Sequence, residues 1–487
     1  MTSTKGILRG SLRVRALVVL VICGAVSSLS AQSGGPYTQI LAGDKTVYIY
    51  SSSQGGYVYT NSHAYIDAYA AISNTNPTAD VCTAIQAALT NLATYTNYTG
   101  EGAVIDARGV GPGTTQTCSA TANLWNGSTN YPVVVLLPAG TIKTSYTWQL
   151  PSGTKLIGEG IGGSGQGTTI QATTGFGWMI QMGLASGCTG LTVENLTLDG
   201  NEITTGSGVS GILNQYCGDL SYVDHVWLYR ILGTGLTVAP SPSTGAGAEH
   251  SGPYSDIMFN TADAATPSTT LCMQITANYT HGIRHVSCTT QHLSGVPATA
   301  IAVCVTTIPF PCTSLTNLLL EDIRIEGFED GIVLGSGTSS VVLRNIDGDT
   351  NGVSNTAPTV NVVDIPTCTN IFDIAMIGIG NQGTVGTGVS NYTINDTCGA
   401  TSLTDASVAL YVAGRPSTSG LGYSRFTTSP NTASWSTGSG VPSGSARTCQ
   451  RGSLYSNVAS NSAAPSAFWV CTLNSSGNTQ WLAPGAQ

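Results

Sequence analysis

One hydrophobic pattern recurs from about residue 188 to 380: an apolar residue, two polar positions, a second apolar residue, one spacer, and usually a third apolar residue or glycine. The instances are Val193-Glu-Asn-Leu196-Thr-Leu198, Val223-Asp-His-Val226-Trp-Leu228, Tyr254-Ser-Asp-Ile257-Met-Phe259, Ile283-Arg-His-Val286-Ser-Cys288, Leu320-Glu-Asp-Ile323-Arg-Ile325, Leu343-Arg-Asn-Ile346-Asp-Gly348 and Ile374-Ala-Met-Ile377-Gly-Ile379. Their starts are 30, 31, 29, 37, 23 and 31 residues apart. Each has the period-2 alternation of strands that meet at a two-residue corner. A loop and another short apolar run usually follow, such as Gly211-Ile-Leu, Gly235-Leu-Thr-Val, Cys272-Met-Gln-Ile, Ala300-Ile-Ala-Val, Gly331-Ile-Val-Leu and Val360-Asn-Val-Val. Three short strands per turn of this length predict an all-β solenoid, a parallel β-helix whose stacked coils bury one column of Val, Ile and Leu. A β-sandwich would need antiparallel hairpins, and Asn-Gly or Asp-Gly turns between matched strands are scarce.

The corners read Glu194-Asn195, Asp224-His225, Ser255-Asp256, Arg284-His285, Glu321-Asp322 and Arg344-Asn345, a polar ladder. His225 and His285 are candidates for chemistry there, but residues at a repeated corner more often satisfy backbone groups or solvate an edge.

A solenoid needs its first coil covered. Asp80 followed by Ile85, Ala88, Leu89 and Leu92 on one face predicts an N-capped helix over 80–94 that closes the core. After it come Gly102-Ala-Val-Ile-Asp-Ala-Arg, Val133-Val-Val-Leu-Leu-Pro-Ala-Gly and Leu150-Pro-Ser-Gly-Thr-Lys-Leu-Ile-Gly-Glu-Gly. This succession, with the later Leu196-Thr-Leu-Asp-Gly and Asp330-Gly-Ile, resembles the pectate lyase-like superfamily over roughly residues 80 to 400. The resemblance implies a right-handed parallel β-helix with the pectin lyase fold. It is weak for reaction, because that superfamily includes polysaccharide lyases, glycoside hydrolases, epimerases and phage tailspikes.

Outside the solenoid, Lys5, Arg9, Arg13 and Arg15 precede the apolar run Ala16 to Val26, and Ser28-Leu29-Ser30-Ala31 resembles a cleavage site. Residues 1–31 therefore read as a signal peptide of a secreted, periplasmic or cell-surface protein. The run is too short to span a bilayer, and no later stretch qualifies. Residues 32–79 read as an N-terminal arm, 80–412 as the solenoid, 413–448 as a Ser/Thr/Gly/Pro-rich linker and 449–487 as a small disulfide β-module. Phe468, Trp469 and Trp481 are expected to form the core of that module.

Only 8% of side chains are charged, against roughly 25% in ordinary globular proteins. Without the leader, 12 cations face 25 acids, a net charge of −13, and twelve cysteines remain. An acidic chain with no basic stripe does not suit nucleic acid. The even cysteine count suits disulfides in an exported chain. Spacing suggests Cys82 with Cys118, Cys188 with Cys217, Cys368 with Cys398, and Cys449 with Cys471, while Cys272, Cys288, Cys304 and Cys312 allow several pairings. Without Cys-x-x-Cys or clustered His/Cys spacing, a structural zinc is not expected.

In a chain this poor in charge, acids recurring just after each repeat are the best functional signal. They include Asp199, Glu202, Asp263, Glu326, Glu329, Asp330, Asp347 and Asp349. A pair drawn from Asp263, Glu326, Asp330 and Asp347 would serve a glycoside hydrolase, with one carboxyl as acid and one as base or nucleophile. Trp227 and Tyr229 suit stacking on a sugar ring, with Arg230 and His292 as further substrate contacts. A lyase would instead need an arginine base, for which Arg230 and Arg324 are nearest, with calcium held by acids as its cofactor; a hydrolase needs none. Val223-Asp-His-Val226 resembles a pectate lyase segment, but no matching calcium-acid cluster follows, and the N-T-D, Asp-Asp, G-H-G and R-I-K elements of polygalacturonases are missing. The sequence thus points to a polysaccharide as partner, cleaved by hydrolysis sooner than by elimination. A non-catalytic glycan-binding or fibre-like surface protein is the alternative, and nothing in the pattern fixes an oligomeric state.

Overall fold

The fold was read from a computed structural model, which describes residues 80–349 with short gaps, strands between 40 and 67 and between 359 and 414, and strands between 435 and 482. The residues expected to form the signal peptide, together with Asp263, His292, Cys368, Cys398 and Cys449, lie outside the described residues.

The chain is a right-handed parallel β-helix. Long strands Thr192–Asp199, Tyr222–Tyr229, Tyr254–Thr261, Ile283–Thr290, Leu318–Glu326 and Val341–Asp349 each pair in parallel with the next. Short strands Val209–Asn214, Thr234–Val238, Leu271–Ile275, Thr299–Val303 and Asp330–Leu334 stack the same way in a second sheet. The repeat reads directly as register: Val193, Val223, Tyr254, Ile283, Leu320 and Leu343 occupy one row. The seventh instance is corrected. Met376 pairs with Leu343 and Ile379 with Ile346, so the coil aligns two residues later than an Ile374 start. The run from Ile374 to Ile379 offers apolar residues at both alignments, so pattern alone does not separate them.

Each long strand is two faces joined by a bend. Asn195, His225, Asp256, His285, Asp322 and Asn345 all have φ between 50° and 56°, the left-handed region that Asn, Asp and His tolerate best. That is why the corner's second position is drawn from these three types. In earlier coils the two faces are separate strands: Lys155–Ile157 pairs with the first half of Thr192–Asp199 and Thr168–Ala172 with the second. Gly158 sits where they diverge, and a Cβ there would lie 2.3 Å from the Asn195 carbonyl oxygen.

Between the faces runs the core. Leu196, Val226, Ile257, Val286, Ile323 and Ile346 form one buried row, and Leu198, Leu228, Phe259, Cys288 and Ile325 another. Each such side chain contributes about 1.5–3 kcal/mol by leaving water. One chain of polar groups inside is paired: the buried Asn214 donates to Tyr254 Oη at 2.8 Å, and Tyr254 donates to Ser251 Oγ at 2.8 Å. Burial pushes the Tyr254 phenol up to about 12.

Cys82–Cys118 and Cys188–Cys217 pair as their spacing suggested. The open alternatives resolve as Cys272–Cys288, which ties the two sheets across the core, and Cys304–Cys312, which closes a short loop. Cys471 is disulfide-bonded.

The helix Val81–Thr94 buries Ile85, Ala88, Leu89 and Leu92. Asp80 caps it, accepting from the Thr83 N–H at 3.0 Å, and also accepts from the Ser119 N–H and hydroxyl at 3.1 and 2.6 Å. Cap and first coil are thereby joined through one carboxylate. Partial burial raises its pKa, but the bonds from Ser119 and Thr83 outweigh that and hold it below the ordinary value. Asp80→Ala is expected to cost about 1 kcal/mol at neutral pH. A group with a depressed folded pKa stabilises above its unfolded pKa and loses that contribution as pH falls through the folded one. The stability gap between wild type and variant, measured by denaturant titration, should therefore close below the ordinary carboxylate range; a gap independent of pH would refute the role given to the charge.

Strands Ile40–Ala42, Lys45–Ile49, Tyr57–Tyr59 and His63–Asp67 form an antiparallel meander, and the last pairs in parallel with Gly102–Asp106. Near the other end, Leu454–Asn457, Phe468–Leu473 and Thr479–Leu482 are antiparallel, and Trp435–Gly438, within the stretch read as linker, adds a parallel fourth strand. Trp469 is buried there, but Phe468 is 48% exposed and is not core. The two are neighbours on one strand, so only one of them can face inward.

Candidate functional site

Because residues alternate along a strand, the inward rows leave two outward rows on the long-strand sheet. Thr197, Trp227, Met258, Ser287, Arg324 and Asp347 make one, and Asp199, Tyr229, Asn260, Thr289 and Glu326 the other. Trp227 and Tyr229 are therefore two positions apart on the same outer face, with ring centroids 4.7 Å apart. Met258, on the next coil beside Trp227, is 43% exposed. The Trp227 indole N–H has no hydrogen-bond partner among the described residues.

Arg230 borders this aromatic surface. Its left-handed backbone (φ 51°) turns the side chain back, placing the guanidinium 5.1 Å from the Tyr229 ring centroid and in a two-point ion pair with buried Asp199, one bond of which is Nε to Oδ1 at 2.8 Å. Gln171 donates to the same carboxylate at 2.6 Å and the Asn201 N–H at 2.9 Å. The bonds to Asp199 raise the Arg230 pKa further. Two consequences follow for the chemistry. Asp199 is saturated by donors and holds Arg230 in place, and Arg230, fixed as a cation, is not the neutral base that an eliminating enzyme would require.

Further along the same face, Arg324 donates to Glu326 at 3.4 Å, and Arg324 and Asp347 are register partners on adjacent strands. Glu326 and Asp347 thus stand on neighbouring coils of one face. Asp330 does not join them there: it begins the short strand Asp330–Leu334, across the turn through Gly327, Phe328 and Glu329. Tyr229 and Glu326 share a row three coils apart, about 14 Å at ~4.8 Å per strand. Sequence reading singled out the aromatic pair and the acids, but not Gln171 as a bond to Asp199 or Met258 beside Trp227. Gln171 lies before the repeat begins, so no periodic signal marks it.

The corner ladder forms a second cluster. His225 Nδ1 is 2.7 Å from Asp224 Oδ2, and Ser255 donates to Asp224 Oδ1 at 2.5 Å. His285 lies between Asp256 (3.5 Å) and Asp322 (3.3 Å), and Asn345 donates to Asp322 at 2.5 Å. Arg284 and Arg344 both face Glu321, at 3.6 and 2.9 Å. The hydrogen bond that His225 makes to the Asp224 carboxylate outweighs desolvation and raises the His225 pKa.

No helix among the described residues is long and apolar enough to cross a membrane. No family model and no curated protein matches the chain. Among solved structures it is similar to a polygalacturonase from Erwinia carotovora ssp. carotovora, at 14% identity over 57% of this chain and 96% of that one, with a TM-score of 0.29. It is also similar to Geobacillus virus E2 ORF18, at 12% identity over 63% and 59%, with a TM-score of 0.23. Likenesses this distant carry no argument about activity, and the assignment of the fold rests on the strand register itself.

Proposed function

We propose that this is an exported carbohydrate-active protein that lays a polysaccharide along the outer face of its long-strand sheet and cleaves it by hydrolysis. The observation that carries the reading is the Trp227–Tyr229 surface, bordered by a fixed guanidinium and in register with Arg324 and Glu326 three coils on and Asp347 on the fourth. Aromatic faces stack on the apolar faces of sugar rings while polar neighbours bind hydroxyls. Glu326 and Asp347 are diagonal neighbours on adjacent strands, about 7–8 Å apart, the spacing that an inverting glycosidase uses to leave room for water. Hydrolysis is preferred to elimination because Arg230 is held protonated. The disulfides support an oxidising compartment, outside the cytosol.

The test is a panel of plant and bacterial polysaccharides, following reducing ends and the absorbance of unsaturated uronates, with and without calcium. Reducing ends without unsaturation are expected. Unsaturated products that require calcium would replace hydrolysis by elimination and move attention to Arg324. Binding without new ends on any substrate would leave a glycan-binding shaft, a reading favoured by the separation of aromatic surface and acids. In each binding case Trp227→Ala is expected to weaken affinity about tenfold, the loss of a central aromatic contact. Unchanged affinity would remove Trp227 from the site.

A further inference from the structure

We propose that Asp224, His225 and Asp256 form a binding site for a divalent transition-metal ion of the zinc type, at the corner where two successive coils stack. One ligand atom from each residue lies within 4.8 Å of those of the other two. The site is independent of the saccharide reading, since it lies on the bend of the long strands and not on their outer face.

Three features of the corner make it a site for this class of ion. The first is the donor set. One imidazole nitrogen with two carboxylate oxygens suits zinc and its neighbours, whereas calcium prefers six to eight oxygens. The second is rigidity. His225 and Asp256 both occupy the left-handed bend, at φ 50° and 53°, on strands whose register is fixed by Val223 with Tyr254 and Val226 with Ile257. Their side chains therefore leave the two coils from equivalent points, one strand spacing apart. The third is charge. The two arginines of the ladder are engaged with Glu321, whereas the carboxylates of Asp224 and Asp256 flank His225. A dication placed among them offsets that concentration of negative charge.

Supporting contacts hold the donors in position, as outer partners do in metal sites. Ser255 donates to Asp224 Oδ1, leaving Oδ2 directed at His225. His285 faces Asp256 Oδ1 through one ring nitrogen and Asp322 through the other. Asp224, His225 and Asp256 are all partly solvent-accessible, so an ion can enter and water can complete its coordination. The other compact group of donors, Asp80 with Cys82 and Cys118, is unsuitable because the two cysteines are bonded to each other.

The experiment is titration of the untagged mature chain with zinc chloride by calorimetry, paired with thermal unfolding with and without zinc. One equivalent should bind saturably, and zinc should raise the unfolding temperature, since an ion that binds the native state stabilises it. His225→Ala and Asp256→Asn should each weaken zinc at least about tenfold and shrink the zinc-dependent shift, while His281→Ala, outside the ladder, should leave both unchanged. The unfolding temperature without zinc shows whether each variant is folded. Failure of wild type to bind saturably, or binding undiminished in both folded corner variants, overturns the proposal.

Discussion

Phe259→Ala is expected to destabilise the β-helix by about 3–5 kcal/mol, the usual cost of emptying a fully buried aromatic site. Phe259 is fully buried, paired between Leu228 and Cys288 in the inward row, and its ring lies 6.4 Å from that of Phe328. Strands on both sides are held by parallel pairing, so the space cannot close by moving one element. Its other wall is Gly235, where a Cβ would fall 2.7 Å from Phe259 Cδ2 and 2.6 Å from the Cys272 carbonyl oxygen. Adding Gly235→Ala to Phe259→Ala should therefore recover little: the methyl group gains room on the ring side and still meets the Cys272 backbone. Urea unfolding gives the total, and hydrogen exchange should show the loss concentrated in the coils around 228–290, because each coil contacts only its neighbours. A loss below about 1 kcal/mol, or one spread evenly along the chain, would contradict this packing.

Glu326→Gln and Asp347→Asn should each lower the cleavage rate by about 10²–10⁴-fold on whichever polysaccharide the panel identifies, the range for removing a positioned acid or base. Both stand on one face of adjacent strands, with Arg324 bonded to Glu326 and register-paired with Asp347. Asp330→Asn is the discriminating variant. The sequence offers Asp330 as an equal candidate, four residues from Glu326, but the fold places it beyond a turn on the other sheet. It should keep most of the wild-type rate. Loss of activity in Asp330→Asn with Glu326→Gln and Asp347→Asn active would move the reaction to the short-strand face. Folded variants are recognised by a retained cooperative unfolding transition, as all three substitutions alter half-buried carboxyls by exchange for the isosteric amide.

What was legible in the sequence follows from period and corner chemistry. The spacing of Val193, Val223, Tyr254, Ile283, Leu320 and Leu343, each followed by two polar residues, determined stacked parallel coils, because only repeated inward positions bury such a pattern. Asp80 and the face of Ile85, Ala88, Leu89 and Leu92 determined the capping helix. Two disulfides followed from spacing alone. Where the repeat loses contrast, as between Ile374 and Ile379, pattern stopped short and backbone pairing set the register.

Only the tertiary structure decided which residues stand next to one another across coils. Coil lengths differ, so sequence distance does not give spatial order: Arg324 and Asp347 are 23 residues apart, His225 and Asp256 are 31 apart, and both pairs sit on adjacent strands. The Cys272–Cys288 and Cys304–Cys312 pairs were likewise settled by facing inward or closing a loop. Asp199 looked like one more exposed acid, and its burial against Arg230 and Gln171 makes it a support. A linear pattern records whether a side chain points inward or outward, because that depends on the strand's own period. Which partner it meets depends on how many residues the intervening loops consume, and loop length is free of that period.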